Sequence, residues 1–164
     1  MLETPRLRLV PLAAEHFDAL AAMYADPEVA RFLEGVPLDR AEAWRRLALH
    51  VGHWALRGYG SFACIEKSSG AVVGRCGPWY PEGWPGLEIG YSLARAFWGR
   101  GYATEAAVAC ARHAYGALHA EKVISLVSAD NSRSQRVAER GGAKVEGEIS
   151  LRGRRVQIFV WPRP

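Results

Sequence analysis

Three strand-like runs, residues 61–66, 72–79 and 87–93, follow one another with only short links between them. The first link, Lys67-Ser68-Ser69-Gly70, is a turn by composition. The second, residues 81–86, holds two prolines, two glycines and Trp84, and reads as an irregular loop. Hairpins of this kind tie the middle of the chain into one sheet. Beyond them the pattern changes to alternation. Residues 103–118 read as an alanine-rich helix with Ala107, Cys110, Ala114 and Tyr115 on its buried face, and 123–128 as a strand. Ser132 with Gln135 makes a capping box for a helix that ends at Gly141-Gly142. Residues 144–150 and 155–161 read as two last strands joined at Arg152-Gly153.

Ahead of the hairpins, Arg6-Leu7-Arg8-Leu9-Val10 alternates polar and apolar, as a strand does, and Pro11 closes it. Residues 14–24 read as a helix with Phe17, Leu20, Ala21 and Tyr24 on one face, interrupted by Asp26-Pro27, with a short helical turn at 29–32. Asp39, with Glu42 three residues on, caps a further helix. It runs to about Leu56, with Trp44, Leu47, Val51 and Trp54 at helical spacing, and Gly58 and Gly60 end it. Hairpins placed before an alternating part predict a mixed α/β (α+β) sheet domain rather than a doubly wound one. With 164 residues and no linker or repeat, residues 1–164 are expected to form one domain.

Composition removes several classes. At 49% hydrophobic and 23% charged, the chain is too apolar to be disordered and needs no disulfides to hold a core. Its 21 Lys and Arg against 17 Asp and Glu leave a net charge of +4, scattered except at Arg45-Arg46 and 152–155. Those clusters are too short for a nucleic-acid arm. They read as solvated surface or as attraction for a small anionic ligand. Three cysteines, Cys64, Cys76 and Cys110, with no close pair argue against a disulfide framework and a zinc site, so no metal is expected. Cys64 and Cys110 fall in apolar patterns as small core residues. The N-terminus lacks the apolar stretch of a signal peptide, and no run is long enough to span a bilayer, so a cytoplasmic location is expected, with no membrane or nucleic-acid partner.

One turn carries the chemistry. Trp98-Gly99-Arg100-Gly101-Tyr102-Ala103-Thr104 opens the helix at 103. A helix start exposes unpaired N–H groups, and its dipole favours negative charge, so phosphates sit there. Gly99 and Gly101 let backbone approach a ligand, Arg100 adds a positive charge and Thr104 a hydroxyl. By itself such a turn is also a plain tight turn. No Gly-Lys-Ser/Thr follows it, and the three-glycine dinucleotide spacing is absent.

The stretch Leu87-Glu88-Ile89-Gly90-Tyr91-Ser92-Leu93 followed by Trp98 through Thr104-Glu105-Ala106 resembles the acetyl-CoA motif of the GNAT acetyltransferase superfamily. More narrowly, it is similar to the group of ribosomal-protein N-terminal acetyltransferases, as are Asn131-Ser132-Arg133-Ser134 and the opening Thr4-Pro5-Arg6-Leu7-Arg8-Leu9. Trp98 stands where the superfamily pattern has Gln or Arg, which implies a packing role there. The resemblance implies a GNAT fold, with a mostly antiparallel twisted sheet of about six or seven strands flanked by about four helices. It implies acetyl-CoA as co-substrate and direct transfer to a primary amine, either a protein or peptide N-terminus or a small amine.

The same resemblance assigns roles. Glu88 would be the base that deprotonates the ammonium, although its ordinary carboxylate pKa is about 4.3 and burial or a water relay is needed. The competing reading is a strand carboxylate paired with an arginine. Backbone groups of Tyr91, Ser92 and Leu93, where the family commonly has a bulge, would meet the pantetheine arm and the oxyanion. Backbone amides of Arg100, Gly101, Tyr102, Ala103 and Thr104 would bind the pyrophosphate. The tyrosine used as acid by many members falls at Ala138, so Ser134 would serve the thiolate and Asn131 would bind the cofactor; both residues also suit helix capping. Trp44, Trp54, Tyr59, Trp79, Tyr80 and Trp84 lie in segments that flank the acceptor in this family; Trp44 and Trp54 read equally as core, and the pocket assignment rests on Trp79, Tyr80 and Trp84. His53 and His113 receive no role. A homodimer is expected by family analogy alone, and a non-catalytic acyl-CoA-binding module is the other class the resemblance permits.

Overall fold

The computed structural model describes residues 1–33 and 35–164. Its strands are β1 (Leu2–Glu3), β2 (Leu7–Pro11), β3 (Phe62–Glu66), β4 (Val72–Trp79), β5 (Leu87–Leu93), β6 (Val123–Ser128), β7 (Lys144–Leu151) and β8 (Arg154–Val160). Its helices are α1 (Phe17–Ala25), α2 (Pro27–Ala30), α3 (Arg40–Arg57), α4 (Tyr102–Gly116) and α5 (Ser132–Arg140). The mixed sheet is the one expected, with eight strands in the order β1-β2-β3-β4-β5-β6-β8-β7. The strand beyond the expected six or seven is β1, whose two residues are too few to show a period; it pairs Leu2 with Leu9 and Glu3 with Arg8. No helix among the described residues is long and apolar enough to cross a membrane.

Helices cover both faces. On one, Ala106, Ala107, Cys110 and Ala114 of α4 pack on Leu7, Leu9, Phe62, Cys64 and Ile89. A face of small side chains brings the helix axis close to the sheet, and each large residue buried beneath it contributes about 1.5–3 kcal/mol. On the other, Leu20, Ala21 and Tyr24 of α1, Val29 of α2 and Leu47 of α3 pack on Leu12 and Ala63. Cys64, Cys76 and Cys110 are all buried and free, and burial pushes the Cys64 and Cys76 thiols up.

Local capping sets the helix starts. Asp26 and Asp39 accept from the N–H groups of Glu28 (2.9 Å) and Glu42 (2.8 Å). At α5 the structure corrects the expected box. The cap is Asn131, whose Oδ1 accepts from the Ser134 N–H (3.1 Å). Gln135 instead turns back to donate to the Ala129 carbonyl (2.9 Å). The Asn131 N–H already bonds the Ser128 carbonyl at 2.9 Å, so the tight exit from β6 makes Asn131 the first residue able to cap.

All neighbouring strands run antiparallel except β5 and β6. That parallel pairing holds only at Leu87 with Val123 and Glu88 with Ile124. Beyond it the strands part. The Ser125 hydroxyl stands where a ladder N–H would be, donating to the Ile89 carbonyl (2.6 Å) while accepting from the Trp161 indole (2.9 Å). The register between β4 and β5 is unbroken from Gly74–Leu93 to Trp79–Glu88, so no bulge makes the opening; the short parallel ladder does.

Candidate active site

Glu88 sits where the ladder ends. Trp84, on the loop before β5, donates its indole N–H to Glu88 Oε2 at 2.7 Å. Burial pushes the Glu88 carboxyl up from 4.5 to about 7, against the opposing effects of the Trp84 bond, the Leu126 backbone N–H and the Arg75 guanidinium. The carboxyl is thus balanced near neutrality, where a group can accept a proton and also release it. Arg75 is itself buried in β4 and donates to the Tyr24 hydroxyl at 2.8 Å. Among the described residues, the hydrogen-bonding side-chain partner of Glu88 is an indole, and Arg75 acts on it through its charge.

Past Glu88, the Ile89 carbonyl points into the gap. By the two-residue strand period, the backbone groups of Tyr91 and Leu93 face the same way. The Leu93 carbonyl accepts from the Trp98 indole (2.7 Å), and the Arg133 guanidinium lies 4.8 Å above the Trp98 ring, so Trp98 packs and braces. Ser92 faces the opposite layer, where its hydroxyl is buried with no hydrogen-bond partner among the described residues.

Across the gap, α5 docks on β5 through one hydroxyl pair. Tyr91 Oη lies 2.9 Å from Ser134 Oγ and donates to the Ser134 carbonyl at 3.0 Å. Burial raises the Tyr91 phenol above its ordinary range, so it stays protonated. The sequence had pointed only to the Tyr91 backbone; the side chain ties the strand to Ser134.

Gly99 and Gly101 are left-handed (φ +74° and +81°), as the turn requires. Gly101 precedes α4 with no side-chain cap, which leaves the first N–H groups of the helix without an intrahelical acceptor. This arrangement suits a pyrophosphate. The Tyr102 side chain turns inward and its hydroxyl bonds Glu66, so Tyr102 offers only backbone to a ligand. Thr104 lines a groove beside β1 with Glu3, Thr4 and Arg112, away from the gap.

Arg6 holds this turn, and no reading of the sequence had singled it out. It donates to Glu105 Oε2 (2.7 Å) and to the Arg100 carbonyl (2.8 Å), and lies 4.5 Å above the Tyr102 ring. Glu105 also accepts from the Thr4 hydroxyl and the Arg6 N–H. Arg6→Ala is expected to raise the acetyl-CoA KM about five- to tenfold with little change in kcat, because it loosens the turn and not the reacting groups. Steady-state kinetics at saturating amine checks this; an unchanged KM sets Arg6 aside.

The aromatic residues divide. Trp79 stacks on His53 (4.5 Å) and meets His50 edge-on (4.9 Å). His53 accepts from the Tyr80 N–H and bonds the Tyr59 carbonyl, which makes it structural. Trp54 donates to the Ser61 carbonyl, Trp44 is half exposed against Phe17, and Tyr80 is exposed. Of the three acceptor-pocket residues, Trp84 hydrogen-bonds Glu88 and Trp79 is its cross-strand neighbour on β4. Among the described residues, no group of three or more metal-binding side chains is placed to hold an ion.

Comparison with known proteins agrees with this geometry. The family model described as Acetyltransferase (GNAT) domain matches residues 6–144. An uncharacterized protein, YkkB, of Bacillus subtilis is 33% identical over 164 residues, covering 96% of this chain and 93% of that one. An uncharacterized N-acetyltransferase, p20, of Bacillus licheniformis is 26% identical over 98% of this chain and 93% of its own. The crystal structure of an acetyltransferase from Agrobacterium tumefaciens superposes with a TM-score of 0.87 at 29% identity, covering 99% of this chain and 94% of that one. An open sheet parted beside Glu88, an uncapped glycine turn at the α4 start and this family match together identify the chain as a member of the GNAT acetyltransferase family, an acetyl-CoA-dependent N-acetyltransferase.

Proposed function

We propose that a primary amine, small or at a peptide N-terminus, attacks the acetyl-CoA thioester directly, with both substrates bound together. Glu88 takes the proton from the incoming ammonium. The observation that carries this reading is its position at the end of the β5–β6 ladder with a carboxyl balanced at about 7. Backbone N–H groups on the gap side of β5 suit the carbonyl oxygen as it gains charge. Ser134 passes its hydroxyl proton to the departing thiolate and regains one from solvent, while Tyr91, which donates to the Ser134 carbonyl, holds the hydroxyl in place 2.9 Å away. The gap between β5 and β6 takes the pantetheine arm, and the amides at the α4 start take the pyrophosphate, with Asn131 ordering the neighbouring turn through its cap. The narrower likeness to ribosomal-protein N-terminal acetyltransferases supports the Ser134 assignment.

The test is acetyl-CoA-dependent thiol release measured against a panel of peptides and small amines. Release that requires an amine and yields its N-acetyl product is expected. Acetyl-CoA binding without transfer to any amine would leave a non-catalytic binding module instead.

A further inference from the structure

We propose that the amine acceptor is a small molecule carrying an anionic group, a carboxylate or a phosphate, seated on Arg31 and Arg154 beside the Glu88 centre. This rests on the N-acetyltransferase reading of that centre and adds the acceptor's chemical class.

A cavity of about 450 Å³ opens at the end of β6, between the residues after α2 and the start of β8. Its volume is that of a small-ligand site, typically about 300–1,000 Å³. Among the described residues, its walls carry Arg31, Arg154 and Arg155 against one carboxylate, Asp130. That carboxylate is already engaged. The Ser128 hydroxyl donates to it at 2.6 Å, and this bond, followed by its own backbone N–H and then by Arg31 and Arg154, holds it below its ordinary value. Arg155 pairs with Glu148 at 2.7 Å. Arg154, exposed like Arg31, commits one N–H to the Leu33 carbonyl (3.0 Å), which orients the guanidinium at the wall, and Arg31 lies over the Phe32 ring at 5.1 Å. Gly35 makes room for this placement, since a Cβ there would meet Arg154 Nη2 at 2.9 Å. A guanidinium so oriented suits a carboxylate or phosphate, which it meets through paired, charge-assisted N–H bonds.

The cavity adjoins the reacting groups by two routes. Its floor, residues 128–130, continues directly into Asn131 and the α5 start that presents Ser134. The β7–β8 turn beside it carries Arg152, whose guanidinium lies 5.4 Å above the Trp84 ring, and Trp84 bonds Glu88. By these two routes an acceptor with its amine at Glu88 would direct its other end toward the basic wall.

The test uses the intact enzyme with matched acceptors: β-alanine against β-alaninamide, phosphoethanolamine against ethanolamine, and a peptide beginning Ser-Glu against one beginning Ser-Gln. The anionic small amines are expected to win by about tenfold or more in kcat/KM, with a preference that falls as salt is added. Arg31→Ala and Arg154→Ala should each erode that preference while leaving the acetyl-CoA KM and the neutral acceptors unchanged, which also shows the variants fold. Equal use of charged and neutral partners overturns the proposal, and a preference in the peptides alone overturns the small-molecule assignment. Failure to acetylate any of these amines while acetyl-CoA still binds overturns the acceptor assignment, and the wider amine panel then tests the transferase reading separately.

Discussion

Glu88→Gln lowers kcat by about 10²–10⁴-fold while leaving acetyl-CoA binding intact, the range expected for removing a positioned general base. The amide keeps the shape and still accepts from the Trp84 indole, so the loss isolates proton transfer from packing. The sign with pH follows from the raised carboxyl. Glu88 is ionised only above about 7, so kcat/KM of the native enzyme should climb through pH 7 and level off, and the variant should lose that limb. Stability moves the opposite way. A carboxyl whose folded pKa lies above its unfolded value favours the fold below about 4.5, and this contribution is lost as pH rises through about 7. The melting temperature of Glu88→Gln relative to the native protein should therefore increase between pH 5 and 8. Native-like turnover in the variant would take Glu88 out of the mechanism.

Gly74→Ala is expected to remove about 3 kcal/mol or more of stability, a fall of about 6–12 °C in melting temperature for a chain of this size. A Cβ at this position would lie 2.2 Å from the Ser92 carbonyl oxygen and 2.6 Å from Leu93 Cα, and Gly74 has φ +149°. Both clashing atoms are backbone of β5, so relief requires β4 and β5 to separate. That shift displaces the strand bearing Glu88 and Tyr91, and activity should fall with stability. Gly52→Ala is the control. It lies within α3 with nothing near its missing Cβ, so the same change there should stabilise by about 0.5–1 kcal/mol. Thermal unfolding of the two variants settles the contrast; equal melting temperatures would mean that β4 and β5 give way freely.

Much of the site was legible because its signals are local. The glycine turn, the strand that leads into it and the start of α5 each occupy a few consecutive residues, so their resemblance to a family motif locates them. Asn131 against Ser132 shows the limit. Both residue types cap helices, and the choice was made by the exit from β6, where Asn131 already bonds Ser128. Arg6 escaped for a different reason. As one arginine in an alternating strand it looks like solvated surface, and its partner Glu105 lies 99 residues away. Arg75 did carry a signal, a charge within the apolar and glycine run of β4, but nothing local says that Tyr24 receives it.

Hydrophobic period, turn residues and the glycine pair were enough to specify the elements apart from the two-residue β1, their order and the glycine turn that opens α4. These are properties of neighbours along the chain. The opening of β5 from β6, the pairing of Tyr91 with Ser134 across 43 residues, the shift of Glu88 to about 7 and the arginine-walled cavity arose only on folding. Each depends on burial or on a distance between remote segments, and neither quantity exists until the sheet has brought those segments together.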